Sequence, residues 1–134
     1  MAHFPRARVV KGSLTADQVN AATPFSVVVP PRSGCNIRVL DGWMRAVGSN
    51  AGGATAVILE DTAATDVWSC TVGALTSGLV ARAGVSNFTV TNQGATMGTG
   101  KGLRFTKTGG TFTVTTQLDY CIKFVYEPVN NVST

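Results

Sequence analysis

Charge is the property this sequence has least of. Asp, Glu, Lys and Arg make up 13% of its 134 residues, about half of their usual share in globular proteins. So few charges indicate either broad contact with another protein or an exterior built from Thr, Ser, Asn and Gln, and the composition supports both. At this length we predict a single domain over residues 1–134.

The basic side chains are concentrated in the first third of the chain. Residues 1–45 hold six Lys or Arg and two Asp, whereas the remainder holds five bases and five acids. A nucleic-acid-binding surface usually gathers more positive charge and pairs it with exposed aromatics. We therefore expect no nucleic-acid partner, and scattered bases near one end fit an acidic protein partner.

Histidine is nearly absent, which excludes most acid–base and nucleophilic catalysis. His3 is the single histidine, and a residue so near a chain end has no fixed scaffold to orient it in a triad. The adjacent carboxylates Glu60 and Asp61 point to opposite faces of a strand, so they are interpreted as its solvated end. No spacing of His, Cys or carboxylates indicates a metal site. We predict no enzyme activity, no metal and no cofactor.

Paired cysteines and long apolar runs are also missing. Cys35, Cys70 and Cys121 are odd in number and show no CxxC spacing, so we predict three free thiols that act as small core residues. No run approaches the roughly 18 to 20 apolar residues of a membrane span. The start lacks the apolar core of a secretory signal, so we expect synthesis in a reducing cytoplasm and no membrane partner.

What the sequence does contain is alternation with period two, typical of strands with one buried face. The clearest example is 118–126, where five apolar side chains fall on one side: Leu118, Tyr120, Ile122, Phe124 and Tyr126. Segments 103–107 and 111–116 alternate likewise, and Gly109-Gly110 between them predicts a two-residue hairpin turn.

Further segments complete the prediction of an antiparallel β-sandwich. Thr15 and Gln18 fit a capping box, which predicts one short helix over 15–22, ended by Pro24. Segment 35–47 is predicted as a strand interrupted at Asp41-Gly42 by either a hairpin turn or a bulge. Its apolar parity shifts there, which favours the bulge. The other strands are predicted at 7–11, 25–29, 55–61, 67–72, 79–81 and 85–91.

Two features have both a structural and a functional interpretation. Trp43 and Trp68 lie within predicted strands, and core packing is favoured for both over an interface or sugar-stacking role. Gly98-Thr-Gly-Lys101 looks like the end of a phosphate-binding loop, but Ala95 and Gly102 occupy positions that require Gly and Ser or Thr. We interpret 92–102 as a flexible hairpin loop.

A short chain that is rich in Gly, Ala and Thr, with few charges and unpaired cysteines, resembles the cement, or decoration, proteins of tailed-bacteriophage capsids. The resemblance extends from Arg6-Ala-Arg-Val-Val to the stretch Tyr120-Cys-Ile-Lys-Phe-Val-Tyr-Glu127, and includes Gly53-Ala-Thr-Ala-Val-Ile-Leu-Glu-Asp-Thr62. It implies a small jelly roll on the outside of the capsid. Such a protein clamps neighbouring major capsid subunits as a homo-oligomer, a dimer or a trimer.

The chain ends carry the predicted partner interface. Residues 1–8 form an N-terminal arm with an aromatic anchor and basic groups able to grip carboxylates, and its proposed contacts are Phe4, Arg6, Arg8 and the nearby Lys11. Residues 128–134 are predicted as a polar tail. The alternative function is a carbohydrate- or receptor-binding module, since jelly rolls also serve as lectins.

Overall fold

The computed structural model describes residues 6–21, 27–85 and 87–129. Within them, nine strands form two antiparallel sheets around one core, accompanied by the six-residue helix α1 (Ala16–Ala21) and a 3-10 turn, Val72–Ala74. The strands are β1 (Arg8–Leu14), β2 (Val27–Val29), β3 (Cys35–Val47), β4 (Ala56–Asp61), β5 (Asp66–Thr71), β6 (Val80–Ala81), β7 (Phe88–Val90), β8 (Leu103–Thr108) and β9 (Gln117–Pro128). The predicted all-β sandwich with one short helix is confirmed.

The strand order is that of a jelly roll. The four-stranded sheet runs β1-β9-β3-β6 and the five-stranded sheet β2-β8-β4-β5-β7. When the short β7 is left out, consecutive strands along the chain lie in alternate sheets. The one exception is β4 and β5, which pair with each other in the same sheet. This is the double-sheet arrangement of jelly rolls. Each sheet has one face toward the core and one face outward.

β9 forms the centre of the four-stranded sheet, paired with β1 on one side and β3 on the other. Leu118, Tyr120, Ile122 and Phe124 are buried against the five-stranded sheet and Tyr126 is half-buried, as the alternation predicted. The intervening side chains therefore face away from the core.

The predicted bulge in β3 is confirmed. The register against β9 shifts between Val39 and Asp41. The side chains that face the core therefore belong to odd-numbered residues before the bulge and to even-numbered residues after it. Val39 is buried before the bulge and Met44 after it, while Leu40 is exposed. Gly42 is required at this point because a Cβ there would collide with the ring of Trp68 and with a carbonyl of β9.

The predicted capping box begins α1. The Gln18 N–H donates to the Thr15 Oγ1 at 3.2 Å, and the Thr15 N–H donates to the Gln18 Oε1 at 2.9 Å. These reciprocal bonds satisfy two backbone donors at the helix N-terminus. Pro24, the predicted end of this helix, lies outside the described residues.

The predicted hairpin at Gly109-Gly110 is wrong. β8 and β9 belong to different sheets, so the connection between them passes from one sheet to the other. Only Gly109 of the pair has a positive φ, 78°. A Cβ at Gly109 would collide with Thr55, and one at Gly110 with the backbone of Gly53. The two glycines permit close approach of these segments rather than a tight turn.

Segment 111–116 is likewise not a strand. Phe112 is buried as its alternation suggested, but its backbone bonds to a side chain: its N–H donates to the Asn20 Oδ1 at 2.9 Å, and its carbonyl accepts from the Asn20 Nδ2 at 2.8 Å. The amide of Asn20 thus takes the place of a neighbouring strand.

Segment 92–102 is neither a hairpin nor a free loop. It connects β7 to β8, which are not neighbours in their sheet. Its backbone N–H groups at Gly94, Met97 and Gly100 donate to carbonyls of Val39, Ile37 and Cys35, at 2.7 to 2.8 Å. The segment therefore covers the first half of β3, and Met97 is buried there.

Candidate functional site

The two tryptophans occupy opposite environments. Trp68 on β5 is fully buried, and its indole N–H donates to the Gln93 Oε1 at 2.7 Å, so the core prediction is confirmed for this residue. The prediction is wrong for Trp43, which is half-buried on the outer face of the four-stranded sheet. The bulge in β3 is the physical reason: once Met44 turns inward, its neighbour Trp43 must point outward.

A polar row crosses three strands on this outer face. Ser13 of β1, Asp119 of β9 and Arg45 of β3 lie opposite one another in register. The Ser13 hydroxyl donates to the Asp119 Oδ1 at 2.7 Å, and the Arg45 Nη2 donates to the Asp119 Oδ2 at 2.8 Å. Gln117 adds its Nε2, which donates to the same Oδ1 at 2.6 Å and to the Ser13 Oγ at 3.0 Å.

These bonds keep Asp119 ionised. Partial burial opposes its charge, but the hydrogen bonds from Arg45, Ser13 and Gln117, together with the positive charge of Arg45, outweigh that effect. They lower the pKa of Asp119 below its ordinary value. The carboxylate is therefore a fixed acceptor that holds three surrounding side chains in place.

Trp43 and Lys11 lie in the next row along the same face. Both pair in register with Cys121, one from β3 and the other from β1. The guanidinium of Arg45 lies over the Trp43 ring, 5.3 Å from its centroid, which restrains the indole from one side. Lys11 is exposed and has no ion-pair partner among the described residues.

A cleft of about 300 Å³ opens between these two rows. The cleft is therefore bordered by an aromatic ring, that of Trp43, by a cation, Lys11, and by the polar row, all on one sheet. Its lining comprises Lys11, Gly12, Ser13, Trp43, Gln117, Asp119 and Tyr120.

The predicted interface residues do not form one cluster. Phe4 lies outside the described residues. Arg6 is exposed just before β1. Arg8, in β1 rather than in a free arm, has its guanidinium 5.8 Å from the centroid of the Tyr126 ring, whereas Lys11 lines the cleft. Of the predicted tail, 128–134, Pro128 is the last residue of β9, and 130–134 lie outside the described residues.

The carboxylate pair at the end of β4 is buried, which corrects its interpretation as a solvated strand end. Glu60 accepts from the Arg104 Nε at 2.8 Å. The Asp61 Oδ1 accepts from the backbone N–H groups of Ala63 and Thr65, both at 2.9 Å. Both carboxylates thus have structural partners, an ion pair for one and a tight turn for the other.

A second surface feature is an apolar strip along one side of the sandwich, formed by residues 79–85 and 87–90 and here named the β6–β7 side. It contains four of the seven large apolar side chains that are exposed in the described part of the chain: Leu79, Val80, Val85 and Val90. Arg82 is its one charged residue. The strip includes β6 and β7, the edge strands of the two sheets on this side.

Sequence reasoning missed Ser13, Gln117 and Asp119 as a group, because they come from distant segments and meet only through strand pairing. The sequence feature that could have predicted the group is the alternation of inward-facing and outward-facing side chains along each strand. A bulge that turns Met44 inward also turns Trp43 and Arg45 outward, toward the outward-facing positions of β9.

Within the described ranges, no three His, Cys, Asp or Glu side chains are grouped so that they would hold a metal ion. No described helix is long and apolar enough to cross a membrane. Comparison of the chain with protein-family models, with curated proteins and with solved structures found no match.

Proposed function

We propose that this chain is a structural virion protein, a capsid decoration protein that binds the outside of a phage head and clamps neighbouring major capsid subunits. The observation that supports this proposal most is the uncovered β6–β7 side. Leu79 is 62% exposed and Val80 41% exposed on a strip with a single charge. A concentration of exposed apolar side chains in one part of a surface favours a protein contact there.

The edge strands on this side strengthen the argument. Strand edges offer unpaired backbone groups and are normally shortened, charged or covered. β6 and β7 are short, with two and three residues, but the side chains beside them are apolar instead of charged. A covering partner would satisfy both the apolar side chains and the open edges. In our proposal that partner is the major capsid protein, and copies of this chain associate with one another as a homo-oligomer.

The basic residues near the start of the chain fit the same proposal. Arg6 lies exposed just before β1 and Arg8 is the first residue of this strand, and guanidinium groups at this position can pair with carboxylates of an acidic shell surface. The site of action would be the capsid surface, after synthesis in the host cytoplasm.

Binding to empty, expanded phage capsids tests the proposal. Leu79→Glu and Val85→Glu place a charge on the β6–β7 side and should abolish most capsid occupancy, measured by cosedimentation. Val129→Glu is the matched control, because Val129 is similarly exposed but lies beyond β9; it should bind normally. Melting temperatures verify that all three variants fold. Equal occupancy for all three, or no binding by the wild-type chain, would refute the proposal.

A carbohydrate-binding module is the second candidate, and a different observation favours it. The half-exposed indole of Trp43 lies near a fixed carboxylate, Asp119, beside a cleft. A clamp that binds through apolar contacts has no need of this arrangement, whereas lectin sites combine an aromatic platform with polar groups.

A further inference from the structure

We infer that the cleft on the outer face of the four-stranded sheet binds a saccharide unit that carries a carboxylate group. This inference rests on the second candidate function, carbohydrate binding, and is independent of capsid attachment through the β6–β7 side. Three properties of the cleft carry it: a restrained aromatic surface, unused hydrogen-bonding groups and an unpaired positive charge.

Trp43 supplies the aromatic surface. Its indole is held on a central strand of the sheet, with the guanidinium of Arg45 over its ring. Arg45 is itself fixed by its bond to Asp119. An aromatic ring with few accessible rotamers offers contact area at low entropic cost, and the C–H groups on the apolar face of a sugar ring can pack against it.

The polar row supplies preorganised hydrogen-bonding groups. Gln117 uses its amide nitrogen for both bonds within the row. Its amide oxygen has no partner in the described part of the chain, so it can accept from a sugar hydroxyl. Because Asp119 already holds Ser13, Gln117 and Arg45, little side-chain entropy would be lost on binding.

The positive charge of Lys11 favours an acidic sugar over a neutral one as the ligand. The charge of Asp119 is already balanced by Arg45, whereas Lys11 borders the same cleft without an ion-pair partner among the described residues. Lys11, Arg45 and Asp119 together therefore carry one net positive charge at this cleft. A ligand carboxylate would pair with the Lys11 ammonium in a charge-assisted hydrogen bond.

The size of the cleft sets the length of the ligand. A volume of about 300 Å³ is at the lower limit of small-molecule sites in proteins. The cleft thus suits a short saccharide or one end of a longer chain. The long groove required for a polymer is not part of this site.

Nuclear magnetic resonance of the full-length protein can test this inference through its two indole N–H signals, which belong to Trp43 and Trp68. The Trp43→Phe variant assigns them. The probes are glucuronate, galacturonate and N-acetylneuraminate, with glucose and galactose as neutral counterparts. We expect at least one acidic sugar to shift the Trp43 signal while the buried Trp68 signal stays fixed. Glucose and galactose should bind more weakly.

Two lysine variants identify the carboxylate contact. Lys11→Ala should weaken the acidic sugar about fivefold, the effect of one charge pair at a partly exposed site. Lys123→Ala is the matched control, since Lys123 is exposed on the outer face of β9 but does not line the cleft; it should change affinity less than about twofold.

The outcomes separate the inference from the function on which it rests. If neutral and acidic sugars shift Trp43 equally and Lys11→Ala has no effect, the carboxylate inference is wrong and carbohydrate binding stands. If Lys11→Ala and Lys123→Ala weaken binding equally, the attraction is a general surface effect and the inference is also wrong. If no sugar shifts Trp43, the carbohydrate function loses its site as well.

Discussion

Two regions of this molecule hold the same pair of residue types, a tryptophan and a cysteine, in opposite environments. On β5, Trp68 and Cys70 share the inner face and are fully buried. On the four-stranded sheet, Trp43 and Cys121 lie opposite each other on the outer face and are half-buried. Strand parity, not residue type, decides which pair packs the core and which is available to a ligand.

The contacts of the two tryptophans differ in kind. Trp68 packs against Phe88, with ring centroids 5.6 Å apart, and reaches across the core to Gly42 of the other sheet. Trp43 contacts the guanidinium of Arg45 and borders an open cleft. Trp68 therefore connects the two sheets, whereas Trp43 contributes to a surface.

The largest expected effect comes from truncating each tryptophan in turn. Trp68→Ala should lower the free energy of unfolding by about 3 to 5 kcal/mol, because it leaves a large cavity between the sheets. Trp43→Ala should lower it by about 1 kcal/mol or less, since the side chain is only partly buried. Urea denaturation followed by circular dichroism measures both. Equal losses for the two variants would contradict the distinction between core and surface.

A smaller effect is expected from the polar row beside Trp43. Because the folded protein lowers the pKa of Asp119, its ionised form stabilises the fold above about pH 4, the ordinary Asp pKa. That stability is lost as pH falls through the lowered, folded-state pKa. Asp119→Asn should thus cost about 1 kcal/mol at pH 7 and less at pH 2.

Unfolding measured at several pH values between 2 and 7 tests this expectation. Ser13→Ala removes one of the hydrogen bonds to the Asp119 carboxylate. It should therefore lower the free energy of unfolding by less than Asp119→Asn does, with the same dependence on pH. A loss for Asp119→Asn that is the same at every pH would show that the charge of Asp119 has no part in it.

Chemical modification of the two half-buried thiols, Cys35 and Cys121, should have the smallest effect on stability. Burial raises the pKa of the Cys70 thiol to about 11, so little of the reactive thiolate forms at pH 8. Cys35 and Cys121 are half-buried free thiols. In the folded protein a thiol reagent should label these two and leave Cys70 unmodified until urea is added.

Mass spectrometry after peptide digestion identifies the labelled cysteines. The Cys70→Ser variant, which should take up the same amount of label in its folded state, is the control. Rapid labelling of Cys70 in the native protein would contradict its place in the core.

The sequence predicted the strands where local pattern and tertiary structure agree. β3 has the predicted bounds, 35–47, and the predicted bulge, because both follow from apolar parity within one segment. The same parity implied that Trp43 points outward, but the hydrophobicity of tryptophan favoured a core position. In this case the alternation was the better guide.

The prediction failed where distant segments replace local partners. Gly109-Gly110 is typical of a hairpin, yet the jelly-roll order separates the flanking strands, and Asn20 bonds to the backbone of Phe112 instead. The polar row could not be predicted for the same reason, since Ser13 and Asp119 meet only through the pairing of β1 with β9. Local sequence carries no record of such long-range pairing.

The central position of β9 has a consequence for how the chain folds. β1 pairs with no other described strand of its sheet, and Arg8 meets Phe124 near the other end of the sequence. While the ribosome is still synthesising residues before 117, β1 has no partner and the edge of β3 that pairs with β9 is open. Pairings this distant in sequence make folding slow, and exposed strand edges make waiting chains prone to aggregate. We therefore expect the insertion of β9 between β1 and β3 to be the step that completes the four-stranded sheet.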